Sequence, residues 1–132
     1  MNTETKLSPA DLADALQGFT GSATFSRWSG LSRSVLTEGT QFLADQAGAY
    51  WLFDAIDSHL VDKGVTDETE FTSVTLRWVD GGKSSAVLTL DDGNGVVFAT
   101  QHIEYTDFPL AEIKLFAVFN GEGWTHMLPG EY

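Results

Sequence analysis

Apolar residues recur along this chain with two different periods, and the change falls near Lys63-Gly64. Upstream of it the spacing is helical. Ser8-Pro9-Ala10-Asp11 has the chemistry of a helix start, with Ser8 as N-cap, Pro9 at the tolerated first position and Asp11 near the positive end of the dipole. Leu12, Ala15 and Leu16 continue as a stripe that Gly18 ends. Residues 18–34 are rich in Gly and Ser yet carry Phe19, Phe25, Trp28 and Leu31, which predicts an ordered loop pinned by its aromatics. From Thr37 to Leu60 the pattern is helical again, with a break near Gly48. Phe42, Leu43 and Ala47 form one face before it; Tyr50, Trp51, Leu52, Phe53, Ile56 and Leu60 form another after it. On that second helix Asp54 and Asp57 are expected on the outer, solvated face.

Downstream the period becomes two, as in half-buried strands. Val74, Leu76 and Trp78 alternate, the Asp80-Gly81-Gly82-Lys83 turn follows, and Ala86, Leu88 and Leu90 alternate on the returning strand. Asp92-Gly93-Asn94-Gly95 predicts a second turn, leading into a strand across Val96 to Tyr105. Ile113 to Phe119 gives a fourth strand, and after Asn120-Gly121-Glu122-Gly123 a fifth runs from Trp124 to Leu128. The predicted class is α+β: N-terminal helices packed on one face of a roughly five-stranded antiparallel meander sheet. A parallel arrangement would need crossovers that residues 71–128 have no room for. The expected organisation is a single domain over 1–132, with 1–6 disordered, a helical part over 7–62 and a sheet part over 70–128.

Composition narrows the function classes. The 132 residues contain no cysteine, which excludes disulfides, thiolate metal sites and a cysteine nucleophile. No stretch reaches the roughly 18 apolar residues of a membrane span, so a cytoplasmic location is the expectation. The formal net charge is −12, and its origin is uneven. Residues 1–34 carry three acids and three bases, leaving 16 Asp and Glu against 4 Lys and Arg in residues 35–132. Direct nucleic-acid binding is disfavoured, because phosphate contacts need clustered positive charge. A basic protein is the electrostatically matched partner, and a homo-oligomer is compatible with the sequence.

Candidate chemistry is sparse. Asp91-Asp92-Gly93-Asn94-Gly95 has the oxygen ligands a hard cation prefers but lacks the spacing of a calcium loop, so a hairpin turn is the better reading. His102 and Glu104 share a face of one predicted strand. With His126 on another strand they would make a two-histidine, one-carboxylate metal site if the strands were neighbours. Asp54 and Asp57 could act as an acid and base pair only if burial split their properties. Ser, His and Asp are all present, but no nucleophile elbow or phosphate-binding glycine pattern is. Of the aromatic residues, Trp28 stands out, flanked by Arg27 and Arg33 as an interface anchor would be. No cofactor is expected.

The runs Gly48-Ala49-Tyr50-Trp51-Leu52-Phe53-Asp54-Ala55-Ile56, Tyr105-Thr106-Asp107-Phe108-Pro109-Leu110 and Leu128-Pro129-Gly130-Glu131-Tyr132 resemble segments of a family of small uncharacterised bacterial proteins. Members of that family are often encoded on plasmids, phages and other mobile elements. The resemblance covers most of the chain from about Leu7 and brings no catalytic residues with it. It implies a bacterial, mobile-element setting, in which small acidic proteins often inhibit host nucleases by presenting carboxylates where phosphates would sit. The expected function is therefore a non-enzymatic acidic protein-binding module, possible as a nucleic-acid mimic, with Trp28, Arg27, Arg33, Asp54 and Asp57 as its contact residues. The alternative is a small metal-dependent enzyme or metal-binding domain built from His102, Glu104 and His126 or from Asp54 and Asp57.

Overall fold

The computed structural model describes residues 7–20, 25–29, 34–63, 71–79, 85–104, 106–119 and 123–132, with 25–29, 62 and 63 described by their backbone. Helix α1 spans Pro9–Leu16, and the Ser8 hydroxyl accepts the Asp11 N–H at 3.2 Å, the N-cap its sequence predicts. Helices α2 (Glu38–Ala47) and α3 (Tyr50–Lys63) follow. Gly48 separates them with φ +61°, a left-handed C-cap that suits glycine and explains the predicted break.

Among the described residues, seven strands form one sheet: β1 (Phe25–Ser29), β2 (Ser34–Thr37), β3 (Phe71–Trp78), β4 (Ala86–Asp91), β5 (Val97–Ile103), β6 (Glu112–Phe119) and β7 (Trp124–Met127). Their spatial order is β1-β2-β7-β6-β3-β4-β5. Two features depart from the expected five-stranded antiparallel meander of strands following N-terminal helices. First, β1 and β2 lie within 7–62, between α1 and α2, so helices and strands alternate there. Second, β7 pairs antiparallel with β6 but parallel with β2, through Val35 opposite Thr125 and Leu36 opposite His126. The sheet is mixed. The crossover a parallel pair requires is the whole segment from α2 through β6, which an inspection of 71–128 alone leaves out.

The core lies between the helices and one face of this sheet. Val74, Leu76, Leu88, Leu90, Leu115 and Ala117 meet Leu12, Leu43, Leu52, Phe53, Ile56 and Leu60 in a single apolar cluster. Burying one such Leu, Ile or Phe contributes about 1.5–3 kcal/mol. The opposite face carries Phe71, Ser73, Arg77, Lys114 and Phe116.

After β7 the chain turns back onto α2. A 3-10 helix over Pro129–Glu131 brings the Glu131 carboxylate to the start of α2, where it accepts from Thr37 Oγ1 (2.6 Å) and the Gly39 N–H (3.0 Å). It also accepts the Leu128 N–H at 2.9 Å. A carboxylate is favoured at the positive end of a helix dipole. Gly39 makes the approach possible, since a Cβ there would lie 2.6 Å from Leu128 Cδ1 and 2.7 Å from Glu131 Oε1. Among the described residues, no helix is long and apolar enough to cross a membrane.

Candidate functional site

Asp57 does not lie on the outer face of α3 as expected; it is 5% exposed, while Asp54 remains exposed. Asp57 stands four residues after Phe53 and three before Leu60, so it falls within the buried stripe of the helix. There its Oδ1 accepts the Ser34 hydroxyl at 2.8 Å and lies 2.8 Å from His126 Nε2. Ser34 and His126 are fully buried, from β2 and β7, the two strands that pair in parallel. The His126 ring meets Phe53 edge-on, with centroids 5.3 Å apart. Asp57 Oδ2 and His126 Nδ1 are buried without a hydrogen-bond partner among the described residues.

This cluster contains the three residue types of a nucleophilic triad in the wrong order. A serine nucleophile needs the histidine beside its hydroxyl, with the carboxylate behind the histidine. Here both Ser34 and His126 address the same oxygen of Asp57, and the burial of all three keeps substrate from Ser34. The arrangement joins α3 to the centre of the sheet.

The proposed metal ligands are not brought together. His126 is on β7 and faces the helices, whereas His102, on the edge strand β5, and Glu104 just beyond it are exposed. Between β7 and β5 lie β6, β3 and β4, a separation of about 19 Å at the usual strand spacing. Among the described residues, no three His, Asp or Glu side chains are grouped to hold a metal ion. The third histidine, His59, is half-buried on α3, with Nε2 at 2.7 Å from Gln101 Oε1 on β5. The Asp91–Gly95 segment is a hairpin turn, as expected. Asp91 Oδ1 accepts the Gly93 N–H (2.7 Å), and Asp92 Oδ1 accepts from Asn94 (2.8 Å) and Val96 (3.2 Å).

Arg27 and Trp28 belong to β1, at one edge of the sheet, where Arg27 pairs with Val35 and the register shifts before Ser29. Their side chains, and Arg33 altogether, lie outside what the structure describes.

The described charged side chains of the helices are acidic, whereas the opposite sheet face carries both signs. Asp11, Asp14, Glu38, Asp45 and Asp54 are exposed on the three helices, and the described helical side chains include no Lys or Arg. The two described cationic side chains, Arg77 and Lys114, are on the opposite sheet face. Arg77 meets Glu112 at 3.2 Å in an exposed pair of small energetic value. Tyr50, at the start of α3, hydrogen-bonds Asp45 and Gln41 of α2. Burial first, and the Asp45 carboxylate second, hold its phenol above the usual tyrosine range.

The model of DUF6876, a family of unknown function, matches residues 10–132. The chain belongs to this family. No curated protein matches the sequence. The fold is similar to that in a structure titled "Crystal structure of the protein of unknown function from Enterococcus faecalis", with a TM-score of 0.54 and 18% identity. That likeness covers 83% of this chain and 98% of the other, and it shows shared architecture alone. The DUF6876 match includes Ser34, Asp57, His126 and Glu131, so the buried cluster and the clamp on α2 both lie inside the family region.

Proposed function

We propose that the chain is a non-enzymatic binding protein whose acidic helical layer engages a basic protein partner, in the place nucleic acid would occupy. The observation that carries this reading is the acidity of the helical layer. Five exposed carboxylates on the helices, with no Lys or Arg among the described side chains there, make that layer acidic. A surface of that kind attracts the Lys and Arg clusters that otherwise neutralise phosphates, and it accelerates encounter at low ionic strength. The bacterial, mobile-element setting implied by the sequence resemblance supplies nucleic-acid-handling host proteins as the partner class.

The test is capture from bacterial lysate with elution by salt, followed by competition with DNA or RNA against the partner recovered. A triple variant, Asp11→Asn, Asp14→Asn and Asp54→Asn, is run beside the parent. The expected result is a basic partner that is released at moderate salt, displaced by nucleic acid and poorly retained by the variant. Capture of nothing, or equal retention by the variant, would overturn the proposal.

A further inference from the structure

The sheet face away from the helices carries a cleft of about 460 Å3, within the range of small-ligand sites. Its floor is β3 and β6, and its side wall is the turn between β4 and β5. Phe71 and Phe116 pair across the floor with ring centroids 4.9 Å apart. Tyr132 packs edge-on against both rings, at 5.3 and 5.5 Å, and fixes them from the side. The turn closes tightly on this aromatic pair because Gly93 has no side chain. Gly93 has φ +86°, and a Cβ there would lie 2.7 Å from the Phe71 ring.

Two opposite charges line the cleft without neutralising each other. Lys114 donates to Ser73 Oγ at 3.3 Å and is in no ion pair with a described residue. Asp91 uses Oδ1 to accept the Gly93 N–H and is likewise in no described ion pair. Ser73 accepts from Lys114, so its own O–H is directed elsewhere and adds a second donor beside the ammonium. Two donors next to one acceptor group, over an aromatic floor, match a carboxylate next to an ammonium with an apolar group attached. Net ligand charge decides between the alternatives. A simple anion must approach a chain of net charge −12, and a simple cation leaves Lys114 opposed to it, whereas a zwitterion meets neither cost.

We propose that this cleft binds a free α-amino acid with a large apolar side chain. The carboxylate contacts Lys114 and Ser73, the ammonium contacts Asp91, and the side chain lies on Phe71 and Phe116. The site is separate from the acidic helical layer, and its test is independent of any protein partner. Calorimetric titration of the full chain uses L-phenylalanine and L-leucine, with phenylacetate and phenethylamine as half-ligands bearing one charge each. Two variants accompany it: Lys114→Gln, and Asp91→Asn, which keeps an oxygen for the Gly93 N–H while removing the charge. The expected result is saturable one-to-one binding of at least one amino acid, weakened about tenfold or more by each variant and in each half-ligand. No saturable binding of either amino acid, an affinity unchanged in either variant, or a half-ligand that binds as well would overturn the assignment.

Discussion

Replacing His126 by Leu removes one partner of a buried pair and leaves the Asp57 carboxylate 5% exposed, with Oδ2 already lacking a hydrogen bond. Stranding a buried charge in this way costs roughly 3–5 kcal/mol. The reverse change, Asp57→Val, removes the acceptor shared by Ser34 and His126, and costs about 1–3 kcal/mol in lost buried hydrogen bonding. The double variant removes both polar groups, including the two unpartnered atoms, but also the acceptor of the buried Ser34 hydroxyl, and is expected to lose about 1–3 kcal/mol, no more than Asp57→Val alone. The coupling in this double-mutant cycle is then about 3 kcal/mol or more. Urea unfolding followed by tryptophan fluorescence and circular dichroism measures all four proteins. For a chain of this length His126→Leu should lower the thermal midpoint by roughly 10–20 °C. Refutation would be a His126→Leu variant that loses less than about 1 kcal/mol, with a double variant no more stable than either single one. In that case the Asp57–His126 contact contributes packing and little else.

Gly39→Ala should destabilise by about 1–3 kcal/mol in urea unfolding, because overpacking against Leu128 and Glu131 outweighs the gain in helix propensity. Glu131→Gln keeps an acceptor near Thr37 and Gly39 but loses the charge at the start of α2; a loss of about 0.5–1 kcal/mol, reduced at high salt, is the expected reading of the same assay. The raised Tyr50 phenol binds its proton more firmly in the folded chain than in the unfolded one. Its contribution is therefore fully present below the ordinary value of 10.0 and is lost as pH rises through the folded value. The stability difference between the parent and Tyr50→Phe should be constant at neutral pH and shift against the parent above about pH 10, as followed by unfolding at several pH values.

The legible parts of the sequence were those with local chemistry. Ser8, Pro9 and Asp11 mark the start of α1, Gly48 marks the break between α2 and α3, and strict alternation identifies β3 and β4. The parallel partnership of β2 and β7 has no local signature, because it consists of two residue pairs between distant segments. β1 and β2 were obscured by the Gly and Ser content around them. Asp57 and His126 did carry a signal. One stands at helical spacing from Phe53 and Leu60; the other alternates with Trp124 and Leu128, both core residues. Reading charge as solvated placed Asp57 outside, whereas its position in the stripe placed it inside. Whether His102 could join His126 depended on strand order, which only tertiary pairing decides.

The central position of β7 also has a consequence for how the chain acquires its structure. β6 can join β3 and β4 early, and β2 can join β1, but these two pieces are connected only by the strand between them. β7 follows β6 in the chain, and Glu131, which clamps α2, follows β7. Until β7 is seated, β2 and β6 each present an unpaired edge. A partly folded chain is thus most open to chaperones and to self-association in the interval before β7 is inserted.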